Sequence, residues 1–139
     1  MGHAISIATG IGCAQTKRQV ICLDGDGAAL MHLGALSVGC KMHNLIHVVF
    51  NNRSHDSVGG QDTCAPNLNL SKVAKSLGYV NVSTAFCTKE IEAALRTEQK
   101  RDGSHFIEII CSKGSREDIG RPTGTPKQNF EHFKSFLQH

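Results

Sequence analysis

Two short polar runs, Gly25-Asp26-Gly27 and Asn51-Asn52, each close an apolar stretch of the chain. The first stretch reads VICLDGDG and the second LIHVVFNN. Asp supplies a hard anionic oxygen, and Asn a neutral one that does not titrate. A main-chain carbonyl just beyond Asn52 can supply a third. An all-oxygen set with open positions suits Mg²⁺, which favours octahedral coordination and shares its ligands with phosphates. Gly25 and Gly27 let the main chain turn sharply and approach a ligand closely. The amides of Gly27 and Ala28 open the following helix, and a helix N-terminus favours phosphate oxygens. The chemistry at this spacing is that of a metal–diphosphate site. A GDG triplet alone also reads as a strand-end turn. Its pairing with NN at the end of the next strand tips the reading toward the metal.

The elements that must position these residues follow from the hydrophobic pattern. Residues 4–15 read as a helix of small residues, and residues 18–24 as a buried strand. Residues 28–42 carry Leu30, Met31, Leu33, Leu36 and Val38 at helical spacing. Leu45–Asn51 is the second strand. Residues 53–67 are polar, with Gly59-Gly60 and Pro66, and predict a loop. Loops over strand ends commonly carry function. Leu70–Leu77 reads as a helix stopped by Gly78, and residues 79–83 as a short strand. Residues 88–100 form an amphipathic pattern with Thr88 as N-cap and Ile91 and Leu95 four apart. Residues 105–111 are the last strand. Residues 113–126 read as an irregular arm. Residues 128–137 close the chain as a helix with Phe130, Phe133, Phe136 and Leu137 on one face. Strands alternating with helices predict an α/β fold, a three-layer α/β/α arrangement with a mostly parallel sheet. In such sheets ligands bind at the carboxyl ends of the strands, where Asp26 and Asn52 would meet. Residues 1–139 read as one domain, without internal repeat or linker.

Composition removes several function classes. A net charge of +3 without a basic stripe argues against nucleic acid and membrane surfaces. The apolar stretch 4–14 is broken by Ser6, Thr9, Gly10 and Gly12 and is too short to span a bilayer. The start MGHAIS fits the myristoylation pattern, but the same residues fit an interior sequence better. Six cysteines occur without a CxxC pair or a secretory signal, which predicts reduced thiols and a cytoplasmic chain. His32, His43, His47, His105, His132 and His139 show no metal-ligand spacing with Cys, so they read as surface or packing residues. No GxGxxG follows the first strand, which weakens a dinucleotide-binding reading.

GDG followed a few tens of residues later by NN is the signature of thiamine-diphosphate enzymes, which this chain resembles. Four segments are similar to the C-terminal cofactor-binding domain of the phosphonopyruvate decarboxylase branch: MGHAISIATGIG, VICLDGDGAALMHLGAL, HVVFNNRSHDSVGGQDT and GSREDIGRPTGTPKQN. The resemblance implies Mg²⁺ held by the side chains of Asp26 and Asn52 and the carbonyl of Ser54. It implies Gly25, Gly27 and Ala28 against the diphosphate. Met1 matches a position that props the cofactor into a bent shape, and Gly2 and His3 would line the same pocket. The family usually has Gly where this chain has Arg53. His55 and Asp56 are implied to lie near the reactive carbon, where a His titrating near neutrality suits proton transfer. Lys113, Arg116 and Arg121 make a basic arm, and Arg suits bidentate contact with carboxylate and phosphonate.

The reaction so implied is decarboxylation of 3-phosphonopyruvate to phosphonoacetaldehyde and CO₂, with thiamine diphosphate as the electron sink. Family members carry a pyrimidine-binding domain ahead of this one, with the cofactor between the two. The resemblance therefore implies a fragment or subunit of a homo- or hetero-oligomer, inactive without that partner. Two other readings stand beside it. One is the beta subunit of a sulfopyruvate decarboxylase-like enzyme. The other is a truncated, non-catalytic cofactor-binding domain.

Overall fold

In the computed structural model, the structure describes residues 1–98, 102–114, 118–120 and 122–138. Four strands form one sheet: β1 (Val20–Gly25), β2 (Leu45–Asn51), β3 (Asn81–Ala85) and β4 (His105–Ile110). Their order is β1-β2-β4-β3, and every pairing is parallel. Parallel neighbours need crossovers. The helices that supply and flank them are α1 (Ala4–Ala14), α2 (Asp26–Met31), α3 (Leu36–Gly39), α4 (Leu70–Leu77), α5 (Thr88–Glu98) and α6 (Pro126–Gln138).

Alternation along the strands divides the apolar residues between two faces. Leu45 and Val49 of β2 join Ile5 of α1, Leu36 of α3, Leu70 and Ala74 of α4, Tyr79 and Phe106 in one core. Ile46 and Val48 join Ile107, Ile109 and the α5 residues Ile91, Ala94 and Leu95 in the other. The expected three-layer α/β/α arrangement is present. The central strands β2 and β4 are buried along nearly their whole length, as parallel strands covered on both faces must be. β1 is less covered on the α5 side, where Leu23 is 64% exposed.

Several boundaries differ from the sequence pattern for identifiable reasons. The helix expected over 28–42 is broken at His32, whose φ of −133° leaves helical geometry; a 3-10 turn, Leu33–Ala35, separates α2 from α3. The break coincides with the His32 ring lying against His3, a tertiary contact that periodicity does not encode. The strand expected at 79–83 begins at Asn81 instead. Gly78 sits in the left-handed region and the Tyr79 amide donates to Ala74 O, so both residues still belong to the C-terminal cap of α4. Thr88 is the first residue of α5 and not its cap. The Glu90 carboxylate accepts from the Phe86 amide at 2.6 Å at that end.

Phe106 is fully buried and meets His47 and Tyr79 edge-on. Phe106→Ala is expected to cost about 3–5 kcal/mol in denaturant unfolding. Phe130→Ala, at an exposed position of α6, should stay within about 0.5 kcal/mol.

Candidate functional site

β1 and β2 are neighbours, with Gly25 in register with Phe50. Their polar ends therefore leave the sheet at the same edge. β1 runs directly into α2, and Asp26 is the first residue of that helix. Its side chain is 1% exposed, and Oδ2 accepts from Thr63 Oγ1 at 2.5 Å. The Thr63 amide in turn donates to Arg53 O at 3.1 Å. Thr63 thus ties the carboxylate after β1 to the loop after β2. A second contact does the same. A Cβ on Gly27 would stand 2.5 Å from Cε1 and Nδ1 of His55, so only glycine allows the His55 ring this close to the start of α2. Burial pushes the Cys111 thiol up, and the carboxylates of Asp26 and Asp56 push it further.

The loop that follows Asn52 is organised by one carboxylate. Asn52 Nδ2 donates to Asp56 Oδ2 at 2.7 Å, and Ser54 Oγ donates to Asp56 Oδ1 at 2.6 Å. The Gly114 amide donates to Oδ2 at 2.9 Å. The Ser54 hydroxyl first, and then the Gly114 amide, hold the Asp56 carboxyl below its ordinary value. With its NH₂ turned to Asp56, the Asn52 amide presents Oδ1 to the Ser54 amide at 3.0 Å. That oxygen keeps a second lone pair. Arg53 has φ of 60° and is the one non-glycine residue in the left-handed region among the described residues. This is the position where the resemblance led to an expectation of Gly. An L-residue there costs about 1–2 kcal/mol. The conformation is held by Thr63 on Arg53 O, by the His55 amide on Gln61 O at 2.8 Å, and by a bridge between Ser54 and Asp62.

The two asparagines of the NN pair do different work. Asn51 points into the sheet, where Nδ2 donates to Glu108 Oε1 at 2.8 Å. The Glu108 Oε2 accepts from both the amide and hydroxyl of Ser71. Asn51 therefore anchors β2 to β4 and α4, and Asn52 faces the loop. Met1 also reaches this region, with Sδ accepting from Ser57 Oγ at 3.4 Å. Gly2 has φ of 81°, beside His32, and the His3 ring lies 4.2 Å from the His32 ring, so His3 is turned toward α2. Lys113 forms an ion pair with Asp62. It also lines a cavity of about 400 Å³ with Asn52, Arg53, Phe86 and Cys111. Arg116 and Arg121 lie outside the described residues.

The donor types suit the expected group: Asp26, Asn52 and the Ser54 carbonyl offer oxygens at two adjoining strand ends, and Gly27 has no side chain where the His55 ring packs against the start of α2. Thr63, Glu108 and the organising role of Asp56 were not legible in the sequence. Thr63 is one polar residue among many in a polar loop, and only the fold brings it to Asp26. Thr63→Val should leave Asp26 without that hydroxyl and cost about 1–3 kcal/mol in chemical denaturation. Thr63→Ser should restore most of the loss.

Residues 1–109 match the family described as thiamine pyrophosphate enzyme, C-terminal TPP binding domain. The chain is 36% identical over 139 residues to a phosphonopyruvate decarboxylase of Streptomyces viridochromogenes, covering 99% of this chain and 35% of that protein. It is 42% identical over 119 residues to sulfopyruvate decarboxylase subunit beta of Methanothermobacter thermautotrophicus, covering 84% of this chain and 61% of that one. The chain thus spans about a third of the first relative and under two thirds of the second. The fold superposes with a TM-score of 0.68 on the thiamine diphosphate-dependent 4-hydroxybenzoylformate decarboxylase of Rhodococcus jostii. That match covers 84% of this chain and 24% of the other at 23% identity, and speaks for the fold alone. No helix among the described residues is long and apolar enough to cross a membrane. Motif, sheet topology and similarity agree: the chain belongs to the thiamine pyrophosphate enzymes, as a C-terminal TPP binding domain.

Proposed function

We propose that this chain is the diphosphate- and metal-holding part of a decarboxylase that converts 3-phosphonopyruvate to phosphonoacetaldehyde and CO₂. The observation that carries the reading is the Thr63 tie, which joins the Asp26 carboxylate to the Asn52–Ser54 loop across two parallel strand ends. The substrate choice rests on similarity along nearly the whole chain to two phosphonopyruvate decarboxylases, at 36% and 34% identity.

Asp26, Asn52 and the Ser54 carbonyl hold Mg²⁺. Gly25, Gly27 and Ala28 offer main chain without bulk to the diphosphate. When bound, thiamine diphosphate supplies the electron sink for loss of CO₂ from a 2-keto acid. Asp56 keeps the Asn52 amide turned so that its oxygen, and not its NH₂, is available to the metal. His55, whose Nδ1 edge faces Gly27, is the titratable ring beside the diphosphate turn. Placed there, His55 would be in position to give a proton to the product carbon or to hold the substrate. Met1, with Gly2 and His3 behind it, lines the cofactor pocket from the Ser57 side. Lys113 is engaged with Asp62; by the resemblance, Arg116 and Arg121 are assigned to the two acidic groups of the substrate.

The remaining part of the site is a pyrimidine-binding domain, on the same polypeptide or on a separate subunit of an oligomer. The 35% share of the Streptomyces relative supports such a second part. Exposed thiols at Cys13, Cys64, Cys87 and Cys111 suit the reducing cytoplasm. A second reading, the beta subunit of a sulfopyruvate decarboxylase, is favoured by the 42% identity to a chain that is itself a subunit.

Carbon dioxide release is the deciding assay, with Mg²⁺, thiamine diphosphate and a pyrimidine-domain partner. Phosphonopyruvate should turn over faster than sulfopyruvate; the reverse order would establish the second reading. The chain alone should show negligible turnover. Substantial activity without a partner would contradict the half-site. Calorimetry separates both from a truncated, non-catalytic cofactor-binding domain, which would bind the Mg²⁺–cofactor pair only weakly even with the partner present. Asp56→Ala, which frees the Asn52 amide, should weaken Mg²⁺ affinity roughly 10–100-fold.

A further inference from the structure

Below the strand ends, the sheet holds a second cluster of ligating side chains that the cofactor does not use. Cys22 and Asp24 are two apart on β1 and so point to the same face. His47, on β2, is the register partner of Cys22. The Cys22 thiol, an Asp24 oxygen and a His47 nitrogen all lie within 4.8 Å of one another. All three residues are buried, at 4%, 8% and 0% exposure.

Asp24 Oδ2 and His47 Nε2 face each other at 3.4 Å, and neither has a hydrogen-bond partner among the described residues. A charge-assisted N–H···O bond is shorter, about 2.7–2.9 Å. Two light-atom ligands each about 2.0–2.1 Å from a tetrahedral zinc stand about 3.3–3.4 Å apart. The observed gap matches the edge of a coordination tetrahedron better than a hydrogen bond. A sulfur about 2.3 Å from the same ion would stand about 3.5 Å from the other two ligands, a small movement for Cys22.

The surroundings fit as well. His47 Nδ1 lies 3.3 Å from Tyr79 Oη. An Nδ1–H donating there leaves the Nε2 lone pair aimed at Asp24, the outer partner that metal-bound histidines normally have. Asp24 Oδ1 is taken by the Gly25 amide at 3.0 Å, which leaves Oδ2 for the cluster. A thiolate and a carboxylate balance a divalent ion, and a neutral imidazole adds nothing. The loaded site carries no net charge, which is the state that burial tolerates.

We propose that Cys22, Asp24 and His47 form a buried site for one thiolate-binding divalent ion of the zinc class, distinct from the all-oxygen set at Asp26 and Asn52. Sulfur and imidazole select zinc, or cobalt as its probe, over Mg²⁺. Burial first, and Asp24 second, push the free Cys22 thiol up to about 12. Binding therefore expels the thiol proton to solvent as the S–metal bond forms, one proton per ion. The ion would clamp β1 to β2 directly beneath the Gly25-Asp26-Gly27 turn.

The test is refolding of the full chain under reducing conditions with Co²⁺ or Zn²⁺, because a buried site loads as the chain closes. The parent for spectroscopy carries Cys13→Ser, Cys64→Ser, Cys87→Ser and Cys111→Ser, which removes the exposed thiols. One metal per chain is expected, with the thiolate-to-cobalt charge-transfer absorption. Zinc-edge X-ray absorption should show one sulfur at about 2.3 Å and nitrogen or oxygen at about 2.0–2.1 Å. Cys22→Ser should abolish the cobalt band. Asp26→Asn should leave it intact while cofactor binding falls, so the two sites fail separately. An oxygen-only shell, a band that survives Cys22→Ser, or no metal retained by the parent would overturn the proposal. Should Cys22→Ser fail to fold by circular dichroism, the absorption shell of the parent decides the matter alone.

Discussion

A carboxylate buried to 1% exposure has to be compensated, and Asp26 is buried where β1 becomes α2. Desolvation of a charge is tolerated only when hydrogen bonds and opposite partial charges replace water. Here the Thr63 hydroxyl supplies one such bond, and the free amides at the start of α2 supply positive potential. Thr63 also holds Arg53 O, so compensating Asp26 fixes the loop after β2 at the same time. One buried charge thereby couples two segments that are adjacent in the sheet and distant in the chain. A divalent cation shared between them would complete that compensation.

The sheet makes this coupling possible. Parallel pairing of β1 with β2 puts both carboxyl ends at one edge. Asn51 then locks β2 to Glu108 on β4, so the strand end that carries Asn52 is held from the side opposite β1. The loop beyond is strained at Arg53 and held by Asp56, with Asn52, Ser54 and Gly114 all donating to that one carboxylate. Strain held by surrounding hydrogen bonds is common at functional sites. These hydrogen bonds fix the conformation of the loop that carries Asn52 and Ser54.

Much of this was legible in the sequence, and the exceptions are instructive. The apolar runs before GDG and NN gave β1 and β2 directly, because buried parallel strands are nearly continuous in hydrophobicity. Leu70–Leu77 with its Gly78 stop was equally plain. Periodicity failed at His32, where the helix breaks and the ring lies against His3, and at Tyr79, whose amide still caps α4. Of the site, the sequence pointed to Asp26 and Asn52 at the two strand ends and not to the side chains that hold them. Thr63 and Glu108 act through side chains brought close by the fold, and no spacing rule marks them. His47 read as a packing residue and does pack against Phe106 and Tyr79; its pairing with Cys22 exists only in the strand register.

The central claim is that Asp26 and Asn52 grip the same cation. A crystal structure of the chain with Mn²⁺ and thiamine diphosphate addresses it most directly, since manganese is located by its anomalous signal. The account predicts one peak bonded to the Asp26 carboxylate, the Asn52 side-chain oxygen and the Ser54 carbonyl, at about the 2.0–2.1 Å of octahedral Mg²⁺. A peak bound by only one of these strand ends, or located elsewhere on the chain, would contradict it.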